Sequence, residues 1–95
     1  MPSDPVRHHA LIRSPSALWR VGEFGIVLLA PGMSDPITIA GPGPQLWELV
    51  ADARTEDEIV TELAAAFSTD PRVIRRDIDP IVEELVSMGL IESGR

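Results

Sequence analysis

Few side chains of this sequence are of the types that catalyse reactions or bind metal ions. The chain holds no cysteine, which excludes thiolate zinc sites and a cysteine nucleophile. His8 and His9 are adjacent, so they face different ways on a regular element, and no carboxylate cluster accompanies them. Asp77 and Asp79 are two residues apart, so on a helix they do not face each other. With no glycine-rich phosphate loop either, the sequence favours a protein that is not an enzyme and that holds no metal or cofactor.

The charge of the chain limits the partners that it can bind. Eight basic and fifteen acidic residues give the 95-residue chain a net charge of −7. The two signs balance in Met1–Gly43, so the whole negative excess lies in Pro44–Arg95. Because phosphate backbones repel an acidic surface, we expect no nucleic-acid partner.

Neither a membrane span nor an export signal is evident. The longest apolar run, Ile26–Ala30, is far shorter than the ~20 residues of a spanning helix. The N-terminus, Met1–Pro5, has neither the basic nor the apolar region of a signal peptide. We therefore expect a cytoplasmic protein with no membrane partner.

Strand and turn signals fill the first half of the chain. Residues 1–15 contain three prolines and little periodicity, so the sequence predicts a flexible arm there. Three short strands follow, at Ala17–Val21, Ile26–Leu29 and Ile37–Ala40, separated by turn residues that indicate an antiparallel meander. The second strand is apolar at four consecutive positions. Either helices cover most of both faces, or part of the second face receives a partner.

Helical spacing begins at Pro44, a residue suited to the first helical position. We expect a short first helix that ends near Asp52. Thr55 and Glu58 form a capping box for a second helix, whose apolar stripe runs from Ile59 to Phe67.

The third predicted helix is the longest. Asp70 caps it, Pro71 is its first residue, and Gly89 ends it. Pro80 interrupts its pattern, but the apolar register continues through this position, so we expect a kink more than a break. The core stripe of this helix comprises Ile74, Ile78, Ile81, Leu85 and Met88.

The order of these elements defines the predicted fold class. Three strands followed by three helices indicate an α+β domain, winged-helix-like, with a three-stranded antiparallel sheet. We expect a flexible arm over residues 1–15 and a single domain over residues 16–92.

The pattern from Pro44 onward resembles that of the PqqD-like family. The residues that carry the resemblance are Leu46-Trp47-Glu48-Leu49-Val50, Arg54-Thr55, Glu58-Ile59, Leu63, Asp77-Ile78, Leu85 and Gly89-Leu90-Ile91. This family comprises peptide chaperones that are also called RiPP recognition elements, and the small size resembles the stand-alone members of lasso-peptide pathways. The resemblance implies a carrier that binds the leader segment of a ribosomally made precursor peptide. In lasso-peptide systems a separate leader peptidase, a cysteine protease, then removes the leader before a cyclase closes the ring.

The resemblance also implies where the leader binds. It adds a strand antiparallel to the third strand and lies against the third helix. An edge strand has unpaired backbone groups that can receive an extended peptide. Ile37 and Ile39 share one face of this strand, Thr38 and Ala40 the other, so one pair builds the core and the other meets the leader. Proline at Ile39 is expected to abolish binding and to leave the domain folded.

Candidate contacts on the third helix follow from an adjacent stripe. Val82 and Val86 would form an apolar wall, Arg75 or Arg76 would pair with leader acids, and Asp79 would pair with a leader base or a backbone donor. The alternative is that both valines belong to the core and that the charges are a solvated face.

Three other functions remain open at this point. A winged-helix DNA-binding domain would place the third helix in the major groove, although acids on that helix oppose its arginines. A PqqD-type carrier could instead serve a radical SAM enzyme. A general interaction or dimerisation module could use the same strand edge.

Overall fold

The computed structural model describes residues 10–93. Its strands are β1 (Leu11–Arg13), β2 (Leu18–Gly22), β3 (Gly25–Leu29), β4 (Ile37–Ile39) and β5 (Ile91–Ser93). Its helices are α1 (Gly43–Leu49), α2 (Glu56–Phe67) and α3 (Pro71–Ser87). The predicted α+β class is confirmed, since a three-stranded antiparallel sheet precedes three helices. His8 and His9 lie outside the described residues.

The sheet has the strand order β2-β3-β4, and a two-residue turn at Glu23-Phe24 joins its first two strands. Ile26 and Leu28 point from β3 into the core, which they share with residues of all three helices. The opposite face carries Val27 and Leu29, which are half-buried and bordered by other strand and loop residues rather than by a helix. Part of this second face of β3 therefore opens onto a groove lined by strand and loop residues, which favours the alternative in which part of the face is free.

Local capping residues set the ends of the helices. Thr55 and Glu58 form the predicted capping box at α2, with one hydrogen bond in each direction. Asp70 accepts a hydrogen bond from the Arg72 backbone N–H at the start of α3. At the other end Gly89 has a φ of 78°, and the N–H groups of Gly89 and Leu90 donate back to Val86 and Leu85. This Schellman arrangement ends the helix at the predicted place.

Pro80 does not divide α3. The helix runs unbroken from Pro71 to Ser87, with Pro80 exposed on its outer side. Because proline lacks an N–H, it leaves the Arg76 carbonyl without its helical donor. The core residues Ile74, Ile78 and Leu85 are buried as predicted.

The predicted arm over residues 1–15 is wrong where the structure describes it. Leu11–Arg13 forms β1, which pairs antiparallel with β5 at the other end of the chain. The Leu11 side chain is 0% exposed, and its backbone exchanges two hydrogen bonds with Arg54. The physical reason is that burial of the Leu11 side chain, the pairing with β5 and the bonds to Arg54 together offset the cost of ordering this short segment. The ordered domain therefore begins before residue 16.

Candidate functional site

The unpaired side of β4 is the first component of the candidate site. β4 lies at one edge of the sheet and pairs only with β3 among the described strands. Each β4 residue has a partner on β3: Ile37 pairs with Leu28, Thr38 with Val27, and Ile39 with Ile26.

The hairpin between β2 and β3 determines which groups of β4 face outward. Gly22 and Gly25 pair across a two-residue turn, so both of their hydrogen bonds join β2 to β3. Backbone direction alternates along an antiparallel strand, so Ile26 and Leu28 bond in the other direction, toward β4. It follows that Ile37 and Ile39 bond to β3, while the N–H and C=O of Thr38 face the open edge.

Side-chain exposure divides β4 in the same way. Ile37 and Ile39 are half-buried and pack against the core, whereas Thr38 and Ala40 are exposed. The isoleucines are therefore the pair that builds the core. Proline at Ile39 would remove an N–H that pairs with β3, so we expect Ile39→Pro to damage the sheet itself as well as any peptide binding.

A surface groove of about 580 Å³ continues from the C-terminal end of β4. We call it the Phe67 groove. It lies between the β4–α1 turn, the end of α2 and the first half of α3, and it is lined by Gly41, Pro42, Phe67, Thr69, Val73, Ile74 and Asp77. Phe67 was predicted to lie in the core stripe of its helix, but it is 42% exposed and lines this groove.

The predicted contacts on α3 do not line this groove. Arg75 forms an ion pair with Asp57 of α2. Residues two apart on a helix lie about 160° from each other around its axis, so Arg75 is nearly opposite the groove residues Val73 and Asp77. Arg76 is exposed, and its Nε lies 3.9 Å from Asp77 Oδ1.

The two valines of the predicted wall belong to the core side of α3. Val82 is 0% exposed, so no peptide can touch it in this arrangement, and its assignment as a binding residue is wrong. Val86 is half-buried and packs against the core. Asp79 is half-buried and is not among the residues that line the groove.

Three groove residues were missed as binding candidates: Phe67, Val73 and Asp77. Val73 lies beside the core stripe on the side opposite to Arg75, a position that the sequence alone assigns to solvent. One signal could have found Val73: it is apolar although it lies outside the core stripe. Which side of an amphipathic helix meets an edge strand depends on how the helix is placed, and the helical period does not contain that information.

Asp70 and Arg72, at the start of α3 next to the groove, are bound to each other. At the start of α3, the Arg72 guanidinium donates to Asp70 Oδ2 over 2.9 Å, and the Arg72 backbone N–H donates to Oδ1 over 2.8 Å. The hydrogen bond from the Arg72 side chain, and then that from its backbone, hold the pKa of Asp70 below its ordinary value. The same side-chain bond raises the pKa of Arg72.

No group of three or more His, Cys, Asp or Glu residues in the described range is placed to hold a metal ion. Over the same residues, no helix is long and apolar enough to cross a membrane. What remains is an open strand edge, formed by Thr38, beside a groove of mainly apolar side chains.

Comparisons with known proteins identify a family, and a solved structure, with this fold. The family model for coenzyme PQQ synthesis protein D (PqqD) matches residues 25–91, which is more than half of the chain. A comparison with curated proteins gives no match.

A solved structure shares the fold. It is the solution NMR structure of the PqqD truncation of Methylobacterium extorquens PqqCD, described as a functional and stand-alone RiPP recognition element. The two chains are 22% identical, the match has a TM-score of 0.74, and it covers 93% of this chain and 97% of that one. The matched family residues extend from β3 to β5, and so include both β4 and the groove beside it. On these findings the chain belongs to the PqqD family.

Proposed function

We propose that this protein binds the leader segment of a ribosomally synthesised precursor peptide as an additional strand on β4. The observation that carries the proposal is the open edge at Thr38, whose N–H and C=O face away from β3. An extended peptide can bond to such groups without regard to its sequence, and side-chain pockets then provide selectivity. The recognition role described for the Methylobacterium extorquens PqqD structure, which has the same fold, supports this function.

Strand addition provides affinity of a useful size. Ordering a disordered leader costs several kcal/mol. A backbone hydrogen bond contributes about 1 kcal/mol net, so a short ladder needs filled side-chain pockets in addition to overcome that cost. The apolar part of the Phe67 groove, with Phe67, Val73 and Pro42, is adjacent to β4 and can supply them. Affinity of about 1 μM is the expected result.

The pathway that we propose is that of lasso peptides. The protein would present the bound precursor to a separate leader peptidase, a cysteine protease, and a cyclase would then close the ring. Holding the leader raises the effective concentration of the cleavage site near the peptidase, so no catalytic group is needed in the carrier. Precursor peptides are made by ribosomes, so the proposal places the protein in the cytoplasm.

The genes beside the one for this protein distinguish this pathway from its alternative. A short precursor gene together with a small cysteine peptidase and an asparagine-synthetase-like cyclase supports the lasso assignment. A radical SAM enzyme in their place would assign the carrier to that enzyme instead, with leader binding unchanged.

Charge disfavours the DNA-binding alternative. The three arginines in the first half of α3 are each beside a carboxylate: Arg72 with Asp70, Arg75 with Asp57 and Arg76 with Asp77. Phosphate contacts need a basic face, and this helix does not present one.

The edge is tested by a proline at position 38. Thr38→Pro removes the outward N–H and keeps the inward bonds of β4, whereas Thr38→Val keeps the N–H and the branched side chain. Random linear peptides are selected by display on the immobilised full chain, and the enriched peptides are labelled for fluorescence polarisation. We expect Thr38→Pro to weaken binding at least tenfold, a loss of about 1.4 kcal/mol, and Thr38→Val to leave it within about twofold. If no peptide is enriched, or if a folded Thr38→Pro variant binds unchanged, the proposed function is wrong.

A further inference from the structure

The direction of β4 determines which part of a bound peptide reaches the Phe67 groove. β4 runs from Ile37 to Ile39 and continues through Ala40 into Gly41 and Pro42, which line the groove. A peptide that pairs antiparallel with β4 has its N-terminal side at this end. The residues just before its paired segment therefore lie over the groove.

The groove has an apolar part suited to one side chain. Phe67 exposes much of its ring there, and Val73 and Pro42 extend the same surface. An exposed aromatic ring in a concave apolar surface is the type of site at which partner side chains contribute most to binding.

The groove also has a charged wall of one sign. Asp77 is its only charged lining residue among those described, and its side chain is about half exposed. Its partner Arg76 has its Nε 3.9 Å from Asp77 Oδ1 and is itself 75% exposed, so the Asp77 carboxylate is partly open to solvent and to a further cation. Glu84, exposed on nearly the same side of α3 about 10 Å farther along the helix, does not line the groove but adds negative charge beyond it. A basic side chain over this wall would meet complementary charge.

We propose that the peptide recognised by this protein carries an apolar residue and an adjacent Lys or Arg immediately N-terminal to its strand-forming segment. The apolar residue lies on Phe67 and Val73, and the base pairs with Asp77. This inference rests on the proposed function, because it assigns the chemistry of the peptide that β4 pairs with.

The peptides enriched on the full chain test the inference directly. We expect them to share a base beside an apolar residue, N-terminal to an alternating strand-like segment. Asp77→Asn should weaken binding of such a labelled peptide by about two- to fivefold, the range measured for exposed ion pairs. Phe67→Ala should weaken it by about tenfold.

A double-mutant cycle identifies the pair, and Glu83→Gln is the matched control. Replacing the peptide base by Gln should weaken binding to the parent protein, but should have no further effect on Asp77→Asn. Glu83 lies on the same helix, about 120° around its axis from Asp77, and is exposed, so Glu83→Gln should leave binding unchanged.

Two outcomes would overturn the inference, and they differ in what they leave standing. If peptides bind and Thr38→Pro abolishes binding, but the cycle shows no coupling or the enriched peptides carry no base, the inference is wrong and strand addition stands. If nothing binds, or if binding is insensitive to Thr38→Pro, both the inference and the proposed function are wrong.

Discussion

Arg13 is the residue at which β1, the sheet and α1 meet. Its guanidinium carbon lies 4.9 Å from the centre of the Trp19 ring and 5.6 Å from that of Trp47. The two indoles are themselves in edge contact at 6.4 Å, and Arg13 Nη1 donates to the Trp47 carbonyl over 3.4 Å. One cation therefore connects the exposed Trp19 of β2 to the buried Trp47 of α1.

Replacing Arg13 should loosen this connection. Arg13→Ala removes the cation between the two rings and the packing of its stem, so we expect the free energy of unfolding to fall by about 1–2 kcal/mol. Urea denaturation followed by tryptophan fluorescence measures this change, since Trp19 and Trp47 are the two tryptophans of the chain. Arg20→Ala, on the exposed surface of β2, is the control and should change stability by less than about 0.5 kcal/mol. An equal loss in both variants would contradict a specific role for Arg13.

Asp70 gives the α3 terminus a pH dependence. Its pKa is lower in the folded protein than the ordinary value of 3.8, so its ionised form favours folding. That contribution is present at pH values above 3.8 and is lost as the pH falls through the lower, folded-state pKa. We expect Asp70→Ala to melt at a lower temperature than the parent at neutral pH, and the difference to shrink as the pH falls below 3.8. Thermal denaturation at a series of pH values measures it.

Asn at position 70 separates capping from charge. Asp70→Asn keeps a side-chain oxygen for the Arg72 backbone N–H, so it should melt closer to the parent at neutral pH than Asp70→Ala does. As the pH falls through the lowered, folded-state pKa of Asp70, the parent loses its charge, and Asp70→Asn and the parent should then converge. A difference between Asp70→Ala and the parent that is as large at acid pH as at neutral pH would show that ionisation of Asp70 does not contribute.

Among the elements, β3 and β4 approach each other unusually closely at Gly25. A Cβ on Gly25 would lie 2.1 Å from the Ile39 carbonyl oxygen, and the Gly25 φ is +149°. Only glycine satisfies both conditions. The position of β4, and with it the outward direction of Thr38, therefore depends on this residue.

Gly25→Ala should displace β4 from β3. The clash and the backbone strain together are expected to cost about 3 kcal/mol of stability, and peptide binding at the edge should fall even in molecules that remain folded. Gly32→Ala is a suitable control: its φ is also positive, at +79°, but nothing lies within 4 Å of its added Cβ, so it should cost only about 1 kcal/mol. Urea denaturation gives the stabilities and polarisation with an enriched peptide gives the binding. Equal stability losses in the two variants would show that the Gly25 contact is unimportant.

The sequence predicted the elements of this fold better than the way they face one another. The capping box at Thr55, the cap at Asp70 and the end at Gly89 depend on neighbours within a few residues, and the structure has all three where they were predicted. The face that α3 turns toward β4 depends on its packing against α2. The stripe with Arg75 and Val82 was therefore assigned to the peptide although it belongs to α2 and the core.

At the scale of the whole molecule, the two ends of the described chain close the fold. β1 pairs with β5, and Leu11 and Ile91 both lie in the core. Each of these strands is three residues long, too short for a clear alternating pattern, and they pair across nearly the full length of the sequence. Short-range sequence patterns cannot predict such a pairing, because each strand is ordered by its partner strand and by the core that both contact.

Closure by β1 predicts that a chain beginning at residue 16 will not fold stably. A domain of this size has a total stability of roughly 5–15 kcal/mol. Loss of a buried leucine side chain costs about 2–5 kcal/mol, and the truncation also removes the Arg13 stack and the bonds to Arg54. We expect the chain of residues 16–95 to show no cooperative urea transition by far-UV circular dichroism.

Two point substitutions test the same closure in the full chain. Leu11→Ala should lower the free energy of unfolding by about 2–5 kcal/mol, because the Leu11 side chain is fully buried. Ile12→Ala, on the next residue of β1 and facing the opposite way, should cost less than about 1 kcal/mol, because that side chain is already exposed. If Leu11→Ala and the truncation both unfold like the parent, β1 is not part of the cooperative domain, and residues 16–92 are sufficient as the sequence predicts. The comparison of these two substitutions makes the test specific. Each removes a large aliphatic side chain from β1, but only Leu11→Ala removes one from the core.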